Sequence, residues 1–228
     1  MGSEVGRVAT ERGHHVALIV DQDNLADLNE QRMSGIDVAF EFTSPKTAHH
    51  NVQTCMDMGI PVVCGTTGWS STLPQLVARA QALNGTLFYA SNFSVGVHIF
   101  FKINALCAKY LSAVGGYTPE LREVHHVHKL DAPSGTAIAL AELIAQESAA
   151  LDGWTLLPER AEGKIAIEAV REGEVFGEHR AVYSSSHDII SIEHRAQSRR
   201  GLALGAVLAA ELIAGKRGFF CMDDLVRL

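Results

Sequence analysis

The chain has 228 residues, of which 47% are hydrophobic, and its formal net charge at pH 7 is -7. This length and composition suit one large domain or two small ones with a proper hydrophobic core. The negative charge, with no basic stripe to offset it, argues against a nucleic acid as a partner and fits a soluble enzyme.

Three further features predict a cytoplasmic protein. Every apolar run is short and interrupted by Gly, Asp or Glu, so none resembles a transmembrane span and we expect no membrane partner. Residues 1–5 lack the basic region and apolar stretch that open a secretory signal. The cysteines show no C-x-x-C spacing, which predicts reduced and mostly buried thiols at Cys55, Cys64, Cys107 and Cys221.

The first part of the chain alternates between strand and helix patterns. Residues 15–20 form a continuous apolar run closed by Asp21, which is typical of a buried parallel strand. Thr43 and Pro45 supply a cap and an early-turn proline to the helix that follows the second strand. Strands are predicted at 15–20, 36–42, 61–64 and 86–90, and helices at 2–12, 43–58 and 73–83. This alternation predicts βαβ units and a parallel sheet.

The pattern changes after residues 91–94. A helix is predicted at 97–113, a short strand at 121–128 and a further helix from 134–136 to about 150. Three strands are then predicted at 165–170, 178–184 and 188–196, followed by an apolar helix at 201–214 that docks back onto the first domain. We therefore predict a second α+β domain with a mixed, largely antiparallel sheet. The predicted domains are 1–92 with 201–228, and 93–200.

The start of the chain departs from the usual nucleotide-binding pattern. An open parallel sheet binds its ligand at the carboxyl ends of the strands, and a nucleotide is usually bound by a G-x-G-x-x-G loop that follows the first strand. Here Met1-Gly2 stands directly before the first predicted helix. We expect Gly2 to be the last glycine of such a loop, with the first strand and two earlier glycines lost. The alternative is that Met1 is genuine and that this sheet simply lacks the strand.

Asp21 is a second candidate contact with a nucleotide. It closes the predicted strand at 15–20, where an acidic residue would hold ribose hydroxyls in the dinucleotide-binding pattern. An ordinary strand-end carboxylate explains the residue equally well. Asp23 follows and no arginine is adjacent, which favours NADH over NADPH if the site binds a dinucleotide.

Two small polar loops follow neighbouring predicted strands. The 65–68 loop, Gly65-Thr66-Thr67-Gly68, comes after the strand at 61–64, and the 90–93 loop comes after the strand at 86–90. Because the carboxyl ends of parallel strands share one edge of the sheet, both loops should open onto the same ligand. The candidate ligand contacts are Gly65, Thr66, Thr67, Ala90, Ser91, Asn92 and Phe93.

The densest chemistry lies in residues 123–137, EVHHVHKLDAPSGTA, where three histidines and a lysine fall within five residues. Histidine changes its proton state near neutral pH, and a neighbouring lysine can donate a proton. Strand alternation would place His126 and His128 on one face and His125 on the other, unless the strand ends before Lys129. We interpret this stretch as the active site.

The helix start at Ser134-Gly135-Thr136 offers free N–H groups, two hydroxyls and the positive end of a helix dipole. The first turn carries no carboxylate, so the anion position is open to a ligand. Together with Lys129, this helix start suits a small dicarboxylate. Two alternatives remain: single histidines such as His128 could be structural, and zinc could bind His126, His128 and either His179 or His187. Because two ligands on one strand chelate awkwardly and no Cys pair accompanies them, we expect no metal.

The run HHVHKLDAPSGTA at 125–137 resembles the signature of the 4-hydroxy-tetrahydrodipicolinate reductase (dihydrodipicolinate reductase) family of bacterial lysine and diaminopimelate synthesis. The segments at 65–68, 90–96 and 205–207 recur in that family in the same order and at similar spacing. The resemblance covers nearly the whole chain. It implies an α/β fold, with a Rossmann-like nucleotide domain that is here truncated at its N-terminus, and an α+β domain for substrate binding and oligomerisation.

The resemblance also implies a role for each motif. His125 matches the catalytic histidine and Lys129 the lysine that donates a proton, while NADH or NADPH supplies hydride to the substrate. Arg199 could lie near the substrate's carboxylates. Members of the family are usually homotetramers joined through their second-domain sheets. The positions that match substrate-binding residues are His126, Ser134, Gly135 and Thr136, and those that match cofactor contacts are Gly65, Thr66, Thr67, Ala90, Ser91, Asn92 and Phe93.

The resemblance leaves one alternative to full activity. Family members carry a first strand and a glycine-rich pyrophosphate loop, of which this sequence shows only Met1-Gly2. A chain without them would be a catalytically impaired remnant that binds the dicarboxylate and not the nucleotide.

Overall fold

A computed structural model describes residues 1–226. The chain divides into two compact units: unit 1 joins Met1–Val95 to the segment from Arg200 onward, and unit 2 is Gly96–Arg199. The helices are α1 (Gly2–Glu11), α2 (Glu30–Met33), α3 (Ala48–Asp57), α4 (Leu73–Ala82), α5 (Val95–Val114), α6 (Gly135–Gln146), α7 (Arg200–Ile213) and α8 (Met222–Leu225). The strands are β1 (Ala39–Glu41), β2 (Val62–Cys64), β3 (Thr86–Tyr89), β4 (Thr118–His125), β5 (Trp154–Leu156), β6 (Ile165–Arg171), β7 (Glu178–Ser184), β8 (Ile189–Arg195) and β9 (Gly218–Phe220).

Unit 1 is built on a parallel sheet with the strand order β1-β2-β3-β9. Successive side chains of a strand point to opposite faces, and both faces are covered. Val63 and Phe88 pack in the cluster that includes α1 and α7, whereas Val62 and Leu87 pack in the cluster that includes α3 and α4. The predicted α/β fold with a Rossmann-like unit is confirmed.

The strand predicted at 15–20 is wrong. These residues have no regular secondary structure, and Val16 and Ile19 are 38% and 72% exposed. Within residues 1–226, β1 is an edge strand that pairs with β2 only, and the apolar run forms no ladder hydrogen bonds with any strand. Asp21 accordingly lies in an exposed turn and not at a strand end, and its Oδ1 accepts a hydrogen bond of 2.9 Å from the amide of Asp23.

Unit 2 contains a mixed sheet with the strand order β5-β6-β4-β7-β8. β4 and β5 both pair with β6 in parallel, while β4–β7 and β7–β8 are antiparallel. The sheet is mixed as predicted, but it is not largely antiparallel, because two of its four pairings, β4–β6 and β5–β6, are parallel. The three-residue strand β5 was not predicted. α5 and α6 pack on the sheet through Phe100, Leu140 and Ile144 against Leu121, Ile165, Ile167 and Tyr183.

Strand β4 begins and ends three residues earlier than predicted. Its last residue is His125, after which the chain turns and the amide of Lys129 donates to the carbonyl of His126 over 3.1 Å. The amide of His126 donates to the carbonyl of Val175, 2.8 Å away, in the connection that follows β6. Strand alternation therefore does not assign faces to His126 and His128.

Helix α5 has a property that inspection of the sequence missed. It joins 20 residues into one helix that is long and apolar enough, by length and composition alone, to cross a membrane. About a fifth, 22%, of its most apolar window is buried. A core helix passes the same test, and Phe100 and Ala108 of α5 lie in the core of unit 2.

Candidate active site

Strand β4 points Glu123 and His125 to the same face because they are two residues apart. The side chain of Glu123 has no exposed surface and that of His125 is 12% exposed. Oε2 of Glu123 is hydrogen-bonded to Nδ1 of His125. An ionised carboxylate only accepts hydrogen bonds, so Nδ1 carries the hydrogen and Nε2 is the ring nitrogen left for another partner.

The second oxygen of Glu123 is also occupied. Oε1 accepts hydrogen bonds from Nη2 of Arg171 over 2.9 Å and from the amide of Ser134 over 3.2 Å. Burial raises the pKa of Glu123, but the hydrogen bonds from His125 and Arg171 outweigh burial and leave the pKa below its ordinary value. Glu123 is therefore a buried carboxylate that is ionised at neutral pH.

Arg171, the last residue of β6, links Glu123 to the turn that follows β4. It lies opposite His125 in the parallel β4–β6 register. Besides Glu123, its guanidinium donates to the carbonyl of Val170 over 2.7 Å and to the carbonyl of Asp131 over 2.5 Å. Arg171 thus fixes the turn between β4 and α6 relative to the sheet.

His179 forms the wall next to His125. It lies opposite Glu123 in the β4–β7 register, and its ring is edge-on to that of His125 with centroids 5.1 Å apart. Burial and the neighbouring His125 lower the pKa of His179 to about 3, so the ring is neutral at physiological pH. The Glu123–His125–Arg171–His179 cluster is defined by strand register.

Ser134 faces inward from the start of α6. Its Oγ accepts the amide hydrogen of Ala137 over 3.2 Å, as a helix N-cap does, and lies 3.2 Å from Nε2 of His179. Since Oγ already accepts one hydrogen, its own hydrogen is available to the neutral imidazole of His179. The residue is only 2% exposed, so its hydroxyl serves to hold His179 and the start of α6 in place.

The amides at the start of α6 are open. Gly135 is exposed and Thr136 is half-buried. In the described part of the chain, no hydrogen bond uses the amide of either residue, and the first helical turn contains no acidic side chain. Free N–H groups and the positive end of a 12-residue helix are the features on which anion-binding positions are built.

Lys129, His126 and His128 have different partners, although the ring centroids of His126 and His128 are only 5.9 Å apart. Nζ of Lys129 lies 2.8 Å from Oδ1 of Asp131, and this hydrogen bond is the main reason why the pKa of Asp131 is lowered. His126 is half-buried, and its buried Nδ1 has no partner within residues 1–226. His128 is exposed and contacts Glu174 over 3.0 Å.

The zinc set considered from the sequence is not the one that the structure groups. Glu123, His125 and His179 offer ligand atoms within 4.8 Å of one another, which is close enough for a metal ion. These groups already bond to protein, however: Glu123 to His125 and Arg171, and His179 to Ser134. The hydrogen-bonded cluster therefore explains their positions without a metal.

In unit 1, the 65–68 loop lies close against the end of β1. A Cβ atom on Gly65 would be 2.2 Å from the ring of Phe42, so a larger residue fits there only if this ring moves. Thr66 is buried, and its carbonyl accepts from Nε1 of Trp69 over 2.6 Å. Thr67 is exposed, which leaves its side chain available to a ligand.

The 90–93 loop is anchored at both ends. The amide of Ala90 donates to the carbonyl of Cys64 over 3.3 Å, which joins this loop to the strand that carries the other loop. The carbonyl of Phe93 presses on α7, where a Cβ on Gly205 would lie 1.7 Å from it. Between these anchors Ser91 is exposed and Oδ1 of Asn92 accepts the amide hydrogen of Ser94, 2.8 Å away. The close approach of the Phe93 carbonyl is a physical reason for glycine at 205.

The remaining predicted cofactor contacts lie at the front of unit 1. Gly2 is the exposed first residue of α1, where an added Cβ would meet no atom within 4 Å, and Asp21 lies in its exposed turn. Arg199, for which a substrate contact was considered, is exposed at the end of unit 2.

A Rossmann-like unit with polar loops at the carboxyl ends of its strands, and a unit with an ionised Glu–His pair beside an open helix start, define a nucleotide-dependent oxidoreductase. The family model described as "Dihydrodipicolinate reductase, N-terminus" matches residues 1–93, and that described as "Dihydrodipicolinate reductase, C-terminus" matches residues 96–226. The chain belongs to the dihydrodipicolinate reductase family, as the sequence motifs predicted.

Individual relatives agree with the family models. The chain is 42% identical over 227 residues to the 4-hydroxy-tetrahydrodipicolinate reductase of Christiangramia forsetii, covering 99% of this chain and 93% of the relative. It is 38% identical over 206 residues to that of Nitrosomonas eutropha, covering 86% and 75%. In fold it is similar to a dipicolinate-bound dihydrodipicolinate reductase from Paenisporosarcina, with a TM-score of 0.81, 20% identity and coverage of 99% and 94%.

Proposed function

We propose that the chain reduces 4-hydroxy-tetrahydrodipicolinate to tetrahydrodipicolinate with NADH or NADPH, in lysine and diaminopimelate synthesis. The observation that carries this proposal is the buried, ionised Glu123 bonded to His125 beside the open amides of Gly135 and Thr136. The reaction removes the ring hydroxyl as water and adds hydride and a proton. It therefore requires a dicarboxylate pocket, a proton donor and a nicotinamide.

The dicarboxylate is held by the start of α6. The amides of Gly135 and Thr136, together with the positive end of the helix, receive one carboxylate. His126 supplies a further contact through its half-buried ring. Ser134 acts behind this pocket by capping the helix and by contacting His179.

His125 and Lys129 carry the proton chemistry. Because Nδ1 of His125 is bonded to Glu123, its Nε2 is the atom that meets the substrate. Addition of hydride leaves negative charge on the substrate, which the Lys129 ammonium neutralises by donating a proton. The ion pair with Asp131, 2.8 Å long, holds Nζ at the β4–α6 turn until the substrate is bound.

The nicotinamide nucleotide, when bound, supplies the hydride. Unit 1 fits such a group because Gly65 leaves no side chain over Phe42 and the exposed hydroxyls of Thr67 and Ser91 follow adjacent strands. Thr66, Ala90, Asn92 and Phe93 complete the two loops, and Gly2 and Asp21 are assigned to the remainder of the dinucleotide. Asp21 favours NADH over NADPH.

The assignments of domain and assembly complete the proposal. Residues 1–92 and 201–228 bind the dinucleotide, and residues 93–200 bind the substrate and join the subunits. We expect a homotetramer that forms through the sheet of unit 2, in the cytoplasm. Gel filtration with light scattering tests this assembly, and a monomer would refute it.

Turnover is tested by the loss of reduced-nicotinamide absorbance with freshly prepared substrate. Lys129→Ala should nearly abolish turnover while it leaves the affinity for pyridine-2,6-dicarboxylate largely intact. Lys164→Ala is the matched control, because Lys164 forms a similar ion pair of 2.9 Å with Asp152 in the same unit. Full turnover in Lys129→Ala would refute the role of Lys129.

Calorimetry separates this function from the impaired remnant. The reductase binds both a reduced nicotinamide nucleotide and pyridine-2,6-dicarboxylate, whereas the remnant binds the dicarboxylate alone. No observation on residues 1–226 favours the remnant, and the matched relatives are reductases by name.

A further inference from the structure

Glu41, the last residue of β1, is a buried carboxylate without a cationic partner among the described residues. It is 5% exposed, and its partners are neutral donors. The hydroxyl of Thr43 donates to Oε1, Sγ of Cys64 donates to Oε2 over 3.2 Å, and Nδ2 of Asn51 lies 3.5 Å from Oε1. A buried acid held only by neutral groups is costly for stability, so its presence calls for a role outside the core.

The donors around Glu41 keep their hydrogens at physiological pH. Burial, followed by the charge of Glu41, raises the pKa of Cys64, and the same two causes raise the pKa of Cys55 to about 11. Cys64 is therefore a thiol that donates to Glu41. The carboxylate serves as a fixed acceptor at the carboxyl edge of the sheet.

The three residues 41–43 hold the 65–68 loop at successive points. The carbonyl of Glu41 accepts the amide hydrogen of Gly65 over 3.0 Å, and the ring of Phe42 lies against the Cα of Gly65. The amide of Thr43 donates to Oγ1 of Thr66 over 2.9 Å. This segment therefore determines where the loop lies.

The side chain of Glu41 influences the contact between Thr43 and Thr66. By accepting the Thr43 hydroxyl, it fixes the residue whose amide holds Thr66. Because Oγ1 of Thr66 accepts this amide hydrogen, its own hydrogen is free to be donated to a ligand. An acceptor such as the carboxamide oxygen of a nicotinamide would suit it.

We infer that Glu41 is a positioning residue for nicotinamide nucleotide binding, acting through Thr43 on Thr66 of the 65–68 loop. This inference rests on the proposed function, because that function makes the loop part of the cofactor site. Glu41 touches no substrate and no reacting atom. Loss of its contact with Thr43 should weaken binding of the cofactor and leave the dicarboxylate site in unit 2 unchanged.

The test compares Thr43→Val, which has no hydroxyl, with Thr43→Ser, which keeps it. Thr43→Val removes the contact of Oγ1 with Glu41 and also its contacts with Thr47, 2.9 Å away, and Asn51, 3.3 Å away. By calorimetry, it should raise the Kd for NADH or NADPH about tenfold. Thr43→Ser should stay within about twofold of the wild type, and the Kd for pyridine-2,6-dicarboxylate should not change in either variant. Equal nucleotide affinity in Thr43→Val and Thr43→Ser would overturn the inference.

A double-mutant cycle shows whether Glu41 acts through Thr43. Glu41→Leu, which has no acceptor for the Thr43 hydroxyl, should by itself raise the Kd for the nucleotide, but should add little to Thr43→Val if both changes break the same contact. Fully additive effects would show that Glu41 acts elsewhere. If Glu41→Leu does not fold, as thermal melting would reveal, the Thr43 pair still decides the question. A wild-type chain that binds no nucleotide would instead refute the proposed function itself.

Discussion

Replacing Glu123 by Gln should change which nitrogen of His125 carries the hydrogen. In the wild type, Oε2 receives Nδ1–H of His125 while Oε1 receives hydrogen bonds from Arg171 and Ser134. The amide oxygen of Gln can serve Arg171 and Ser134, but its NH2 group then faces Nδ1. Nδ1 must become an acceptor, and the hydrogen moves to Nε2, the atom that meets the substrate.

The size of the effect follows from the bonds that are lost. A hydrogen bond to a charged group contributes about 1.5–3 kcal/mol, so loss of the Glu123–His125 bond in the transition state lowers kcat about 10- to 150-fold. Arg171, whose side chain is 19% exposed, also loses its ionised partner. Breaking a buried ion pair on one side costs about 3–5 kcal/mol of folding stability.

The assay measures kcat on protein shown to be folded by its melting transition, and reads the His125 tautomer by nitrogen NMR. We expect Nδ1–H in the wild type and Nε2–H in Glu123→Gln. Glu123→Asp is the control, because it keeps the charge and shortens the reach by one methylene. Loss of the Glu123–His125 bond should lower kcat at least about tenfold, which corresponds to about 1.36 kcal/mol. Turnover within about twofold of the wild type in folded Glu123→Gln would therefore refute the role of the pair.

Three further predictions test the supports of the two sites. Gly177→Ala should lower turnover about tenfold, because its Cβ would lie 3.0 Å from Nε2 of His125 and its φ is +143°. Gly173→Ala is the control: its Cβ would meet no atom within 4 Å, so this change should strain only the backbone. Gly205→Ala should cost about 3 kcal/mol or more in urea unfolding because its Cβ would lie 1.7 Å from the Phe93 carbonyl; Gly201→Ala, in the same helix with open space, should not destabilise. Folding lowers the pKa of Glu123, so the ionised carboxylate stabilises the folded state fully above its unfolded pKa of about 4.5. The urea midpoint should therefore fall as the pH drops below about 4.5 towards the lower pKa of the folded state. A flat midpoint down to about pH 3 would contradict this.

The sequence alone was sufficient to predict site residues that lie close together along the chain. His125, Lys129 and the helix start at 134–136 were found because titratable groups and turn residues follow one another along the chain. The partners of His125 were missed, because Arg171 and His179 reach it only through the β4–β6 and β4–β7 registers. A single sequence does not show which strands are neighbours.

The errors in the predicted elements have a similar physical origin. The apolar run at 15–20 has the composition of a strand but no strand beside it. β5 and β9 have three residues each, too few to show a period of two. Strand β4 starts at Thr118, three residues before the predicted start, and Pro119 lies near its end, where one missing amide is tolerated.

The pairing of β4 on both sides limits how this site can vary. Glu123 and His125 share a face only because one residue separates them, while Arg122 and Val124 point the other way. Inserting or deleting one residue between Thr118 and Glu123 would either slip the strand against β6 and β7 or exchange its two faces, and would present Arg122 and Val124 to the site. Changes in length should therefore be tolerated in the loop before β4, but neither within β4 nor in the β4–α6 turn that carries Lys129.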